Sequence, residues 1–206
     1  MLRYAITDRA AYGGSPAYRL DSVVREAVRW AAEGIDFIQV REKDLGAGEL
    51  AELTRRVLAA GRAAGVGSRV LVNSRADIAV ATGADGVHLT ASVGQLLPAQ
   101  VRSIFAAAGR SNAVVSISCH TIEDVRRAAA LGVDAILFGP VFGKTVGGLQ
   151  VAEGQGLEGL RQACNAAGST AVYALGGVTK ERAAECLVTG AAGIAGIRFF
   201  RNINWE

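Results

Sequence analysis

The tightest constraint on this chain is a repeated alternation of short apolar, β-branched runs with longer amphipathic stretches, the pattern left by successive strand–helix units. Strands are expected near Tyr4 to Thr7, Phe37 to Val40, Val70 to Asn73, Gly86 to Leu89, Val114 to Ser118, Ala135 to Gly139, Ala171 to Leu175 and Gly193 to Ile197. Between them, apolar residues recur at helical spacing, as in Val23, Val24, Ala27, Val28 and Ala31, or Leu50, Leu53, Val57 and Leu58. Gly34, Gly83 and Gly132, each followed at once by a strand, recur at an interval of 49 residues, which is about two strand–helix units. Glycine accepts the left-handed conformation that closes a helix, so each marks a helix end. The strand runs are almost continuously apolar, as parallel strands buried on both faces are. Eight units with helices after each strand predict an α/β fold, a single-domain (β/α)8 TIM barrel over residues 1–206. An open doubly wound sheet is the alternative, because local pattern does not report closure.

A chain of 206 residues fits one barrel, and half of its residues are hydrophobic against 20% charged, enough for a sizeable core. No apolar run approaches the roughly 18 residues that a membrane span requires. The amino terminus enters its first strand without a basic and apolar leader, so a cytoplasmic protein is expected. Cys119, Cys164 and Cys186 are widely spaced and odd in number, which suggests reduced thiols and neither a disulfide framework nor a zinc site. A net charge of +3 is too small to suggest nucleic acid and suits a small anionic partner.

In both candidate folds ligands bind where strands end, so the polar residues at those ends are the candidates. After the second strand, alternation turns Gln39, Arg41 and Lys43 to one side and Val40 and Glu42 to the other. The first three suit an anionic ligand; a salt bridge from the cations to Glu42 is the plainer alternative. Asn73 and His88 end the third and fourth strands, placed to bond a ligand or each other, with a structural role open for His88. The fifth strand ends in Ser118, Cys119 and His120, before a helix that Thr121 caps with Asp124 three residues on. His120 is the better placed histidine for proton transfer, Ser118 a substrate contact, and Cys119 packing. The glycine-rich loop after the sixth strand carries Lys144 and Thr145 and is expected to cover the site, flexible solvent exposure being the alternative. Gly176 and Gly177, with Gly196 and Ile197, form the loops that cradle phosphate in barrels. Arg198 is left open between phosphate contact and outward orientation, and the segment from Phe199 to Trp205 between a capping helix and a subunit contact.

Taken in order, Gln-Val-Arg-Glu-Lys, Val-Asn-Ser-Arg-Ala-Asp, Gly-Ala-Asp-Gly-Val-His-Leu, Ser-Cys-His-Thr, Phe-Gly-Pro-Val-Phe and Ala-Leu-Gly-Gly-Val resemble the thiamine phosphate synthase family and its thiazole tautomerase relatives. The resemblance runs from Arg3 to about Phe200. In the synthase branch it implies joining a pyrimidine pyrophosphate to a thiazole phosphate with magnesium on the departing group. Gln39, Arg41, Lys43 and Asn73 would then serve pyrimidine and pyrophosphate, and Gly176 and Gly177 the thiazole phosphate. The chain departs from that pattern at three places. Ser74 stands where the family has Asp, Thr90-Ala91-Ser92-Val93 replaces a Gly-Gln segment followed by Asp, and Gly143-Lys144-Thr145-Val146-Gly147 replaces a Pro-Thr-x-Thr-Lys loop. The phosphate loop and His120 remain, which resembles the tautomerase branch. The expectation is therefore a metal-independent thiazole phosphate tautomerase with no cofactor and His120 as proton shuttle. A magnesium-dependent synthase, or a non-catalytic binder of thiazole or thiamine phosphates, is the alternative. The expected partner is a phosphorylated thiazole or thiamine-related molecule, with no nucleic acid, no membrane and a possible homo-oligomer.

Overall fold

A computed structural model describes residues 1–63, 67–90, 94–146 and 149–201, with residues 63, 144–146 and 149–152 described by their backbone alone. The strands are β1 (Leu2–Ile6), β2 (Phe37–Val40), β3 (Arg69–Asn73), β4 (Gly86–Leu89), β5 (Val114–Cys119), β6 (Ala135–Phe138), β7 (Lys144–Val146), β8 (Leu149–Ala152), β9 (Ala171–Leu175) and β10 (Gly193–Gly196). The helices are α1 (Pro16–Ala32), α2 (Ala47–Ala63), α3 (Ala76–Thr82), α4 (Pro98–Ala107), α5 (Ile122–Ala130), α6 (Gly156–Ala167) and α7 (Lys180–Val188). Eight strands close into a barrel in the order β1-β10-β9-β6-β5-β4-β3-β2. Closure rests on the parallel pairing of β1 with β10, where Tyr4 opposes Ala195 and Ala5 opposes Gly196. The open sheet is thereby excluded.

Each helix packs its apolar stripe on the outside of the strands. In α1, Ser15 caps the amino end by accepting from Tyr18 N–H, and Pro16 opens the first turn. Its buried face is Val23, Ala27, Trp30 and Ala31; Val28, expected there from spacing, is exposed, because the barrel contact is carried by Trp30 two positions on. In α2, Leu50, Leu53, Val57 and Leu58 are all buried as the periodicity predicts. A second apolar cluster fills the barrel interior, with Tyr4, Phe37 and Tyr173 packed ring against ring near Ile6, Leu71 and Leu137.

The 49-residue interval has a structural meaning beyond its glycines. Asp36, Asp85 and Asp134 follow the same spacing, and each carboxylate accepts the backbone N–H of a residue on the preceding strand, Arg3, Val70 and Val115, at 2.7 Å. The amino-terminal end of the barrel is thus pinned by three equivalent acceptors, which fixes register.

One feature differs from the sequence expectation. The loop after β6 contains an antiparallel hairpin, β7 with β8. Among the described residues no helix follows β10: the chain turns through the buried Phe199 and Phe200, and Phe200 O accepts from Trp30 Nε1 at 2.9 Å. The sequence leaves the segment from Phe199 to Trp205 open between a capping helix and a subunit contact, and its residues 202–205 lie outside the described residues. No helix among the described residues is long and apolar enough to cross a membrane.

Candidate functional site

The carboxyl ends of the barrel strands open on a cavity of about 450 Å³ lined by Gln39, Arg41, Lys43, Asn73, His88, Thr90, Ser118 and His120 over a floor of Ile6, Leu137, Leu175 and Ile197. A second cavity of about 310 Å³ adjoins it, lined by Glu42, Lys43, Asn73, Ser74, Arg75 and Thr90 with Val40, Leu45 and Leu50. Alternation after β2 divides the residues as the sequence predicts. Gln39 and Arg41 face the larger cavity, Val40 and Glu42 the smaller, and Lys43 reaches both.

Glu42 does not neutralise the mouth. It is buried and accepts from Thr7 Oγ1 at 2.7 Å and from Arg9 N–H at 3.1 Å on each carboxylate oxygen. Burial holds its pKa above the usual carboxylate range despite those donors. Thr7 Oγ1 in turn accepts the Arg41 N–H at 2.9 Å, which fixes the strand end that presents Arg41. Among the described residues neither Arg41 nor Lys43 pairs with a carboxylate, so the larger cavity carries two cations and no acidic side chain. Gln39 Nε2 donates to Asn73 Oδ1 at 2.9 Å, and Gln39 Oε1 is buried with no hydrogen-bond partner.

The histidines separate clearly. His88 bonds neither Asn73 nor open space: it is 3% exposed, with Nδ1 at 2.9 Å from Ser116 Oγ and Nε2 at 2.9 Å from Ser118 Oγ. Burial, then the nearby Arg41 charge, push its pKa down to about 3, so the ring is neutral. His120 is exposed at the rim, just before α5, where Thr121 and Asp124 form the reciprocal cap that the sequence suggests. Its Nδ1 lies 2.5 Å from Gly139 O. A carbonyl oxygen only accepts, so Nδ1 carries the proton and Nε2 is left with its lone pair as a base. The Cys119 thiol is buried and pushed up to about 12 by that burial, consistent with packing.

The glycines at the strand ends have a second explanation that the sequence did not show. Gly176 and Gly177 have φ of +92° and +67°, and an added Cβ would lie 2.8 Å from Pro140 Cα and 2.7 Å from Phe142 O respectively. At Gly196 a Cβ would lie 2.6 Å from Phe199 Cβ. Packing of neighbouring loops requires glycine at these positions, and none of the three lines either cavity. The N–H groups of Gly177 and Val178 take no backbone acceptor among the described residues, and α7 begins directly after them without a side-chain cap. This leaves donors at a helix amino terminus. Arg198 is exposed. The backbone of Lys144 and Thr145 lies in β7; their side chains are outside the description.

Among the described residues the carboxylates near the cavities are poorly placed for magnesium. That ion takes hard oxygen ligands, carboxylates among them. Among the described residues Glu42 is the only carboxylate lining either cavity and it already holds two donors, the Thr7 hydroxyl and the Arg9 N–H, while Asp44 and Asp77 pair with Arg9 and Arg75. No group of three or more His, Cys, Asp or Glu that could hold a metal occurs among the described residues.

A family model described as thiamine monophosphate synthase matches residues 3–200. The chain is 36% identical over 197 residues to a putative thiamine-phosphate synthase 2 of Aquifex aeolicus, covering 96% of each, and 38% identical over 192 residues to a putative thiamine-phosphate synthase of Geobacter sulfurreducens, covering 93% and 83%. Among solved structures it is similar to a thiamine phosphate pyrophosphorylase from Pyrococcus furiosus, with a TM-score of 0.74, 30% identity and coverage of 96% and 85%.

Proposed function

The chain belongs to the thiamine monophosphate synthase family, and from that premise we propose that its barrel mouth isomerises a carboxylated thiazole phosphate by moving a proton within the ring. The observation that carries this reading is the pairing of a carboxylate-free, doubly cationic cavity with one rim imidazole whose Nε2 is free to act as a base. The phosphate would meet the N–H groups of Gly177 and Val178 and the start of α7. The substrate carboxylate would meet Arg41 and Lys43. His120 Nε2 takes a proton from one ring position of the non-aromatic isomer. The imidazolium so formed, held by Gly139 O, returns the same proton at another position and leaves the aromatic ring; nothing is gained or lost overall. Nearby cations stabilise the anionic intermediate.

A second reading is the joining of a pyrimidine pyrophosphate to a thiazole phosphate, and the relatives' names support this transferase reading over the isomerase. Gln39 Oε1 adds to it, since a buried acceptor without a donor suits the amino group of a pyrimidine ring. Against it stands the donor set, which among the described residues holds no cluster of three or more metal-ligating side chains and no carboxylate on the larger cavity. Proton NMR of the non-aromatic carboxythiazole phosphate, incubated with protein and EDTA, separates the two. Conversion faster than the buffer and than the His120→Ala variant is expected. No conversion, together with magnesium-dependent release of pyrophosphate from the two synthase substrates, would replace the isomerase by the transferase.

A further inference from the structure

Four polar groups form a connected network from the barrel interior to its mouth. Tyr4 Oη lies 2.9 Å from Ser116 Oγ, which lies 2.9 Å from His88 Nδ1, and His88 Nε2 lies 2.9 Å from Ser118 Oγ. Tyr4 Oη is also 3.4 Å from His88 Nδ1. Tyr4 and Ser116 are fully buried and His88 nearly so, whereas Ser118 is half-buried and lines the larger cavity with His120.

With a neutral imidazole each of the four groups carries one proton, and the fate of the three inner protons sets the direction of the chain. If the ring proton is on Nε2, Tyr4 donates to Ser116, Ser116 donates to Nδ1, and Nε2–H donates to Ser118. Every inner proton then has an acceptor. If the ring proton is on Nδ1, it points at Ser116 Oγ, and only one of the Tyr4 and Ser116 hydroxyl protons can be used between those two oxygens. The other is buried with no acceptor, a defect that folded proteins avoid. An imidazolium has the same defect and adds a buried charge, in keeping with a pKa of about 3.

We infer that Tyr4, Ser116 and His88 form a positioning device: they commit the Ser118 oxygen to accept from His88, leaving the Ser118 hydroxyl proton to be donated into the mouth. The group it meets beside His120 is a hydrogen-bond acceptor, for which an anionic oxygen of the substrate is suited. The inference rests on the proton-transfer reading for the reaction that this oxygen serves; the ordering of protons does not.

The chain has two histidines, so a protein labelled with nitrogen-15 histidine gives two imidazole spin systems, and His120→Gln identifies which is which. The expected spectrum has His88 neutral with its proton on Nε2 from pH 5 to pH 8. A proton on Nδ1, or an imidazolium at pH 6, would overturn the inference without any variant having to fold. The second readout is affinity for the carboxythiazole phosphate. Ser118→Ala and His88→Phe should each weaken it about tenfold, and the double variant should bind no more weakly than Ser118→Ala alone, because His88 acts through Ser118. An additive loss of about a hundredfold would mean that His88 acts by another route and would overturn the positioning role. Absence of binding to the wild type would overturn the substrate half of the inference. Binding and the Nε2–H spectrum without turnover would instead count against the proton-transfer reading and leave this one standing.

Discussion

Acid stability should be governed to a measurable degree by His88. The imidazole titrates at about 3 in the fold against an ordinary value of 6.5, because burial disfavours its charged form. Between those two values the unfolded chain binds a proton that the folded chain refuses, so stability rises with pH across this window and the contribution is complete above about pH 6.5. From pH 7 to pH 5 the linkage amounts to about 1.5 pKa units, or about 2 kcal/mol of lost stability. For a chain of this size that corresponds to a fall of about 4–8 °C in melting temperature. Glu42 acts in the opposite sense. Its raised pKa makes the folded chain the better proton acceptor, so acidification through its folded value towards its unfolded one stabilises. The contribution of His88 is therefore read from a difference. Melting temperatures at pH 5 and pH 7 are measured for the wild type and for His88→Phe, which keeps an aromatic ring and cannot titrate. The wild type should lose several degrees more than the variant. Equal losses would refute the argument, since they would mean that burial of His88 carries no protonation penalty.

His120→Ala should abolish isomerisation while changing affinity for the thiazole phosphate less than threefold, measured by steady-state turnover and by calorimetric titration; unchanged turnover would remove His120 from the mechanism. Gly177→Ala forces a side chain into a φ of +67° and to within 2.7 Å of Phe142 O, so phosphate-ligand affinity should fall at least tenfold. Equal affinity would show that this loop does not hold the phosphate. Asp85→Ala removes a charged acceptor 2.7 Å from Val70 N–H and should cost about 1–3 kcal/mol in a urea titration. No loss would deny the 49-residue aspartates their part in fixing register.

The eight barrel strands were legible to within two residues at each end because each is an apolar run bounded by a glycine or a polar end, whereas the β7–β8 hairpin was not. That pattern is local, and so it survives in the sequence. Closure is different in kind: the pairing of Tyr4 with Ala195 joins residues from opposite ends of the chain, and no window of sequence contains both. The same holds inside the barrel. The bond from Tyr4 to Ser116 spans 112 residues, so His88 could be placed at a strand end but not assigned its partners. Asp36, Asp85 and Asp134 were within reach, since they share the interval already visible in Gly34, Gly83 and Gly132. The glycines are legible through their backbone freedom, whereas nothing local to the aspartate two residues on signals the N–H that it accepts. Gly176 and Gly177 illustrate the converse. Their position suggests ligand approach, yet the nearest atoms to an added Cβ belong to Pro140 and Phe142.

The triplet Arg41-Glu42-Lys43 shows how the fold converts a nearly neutral sequence into a cationic cavity. Read along the chain, one negative charge offsets two positive ones, and a surface pairing among the three would leave little field. Alternation separates them first, turning Glu42 away from the larger cavity. Burial then draws Glu42 onto Thr7 and Arg9, donors supplied by the segment following β1, so the carboxylate is satisfied without either neighbour. Thr7 closes the circuit by accepting the Arg41 N–H, tying the orientation of the cation to the bond that removes its counter-ion. A mouth assembled this way is electropositive because the one carboxylate lining it among the described residues is occupied elsewhere, and that property belongs to β1 and β2 together. It also explains why the cations can serve either reading of the reaction. What distinguishes the readings is chemistry that β5 adds, the directed Ser118 hydroxyl and the free Nε2 of His120.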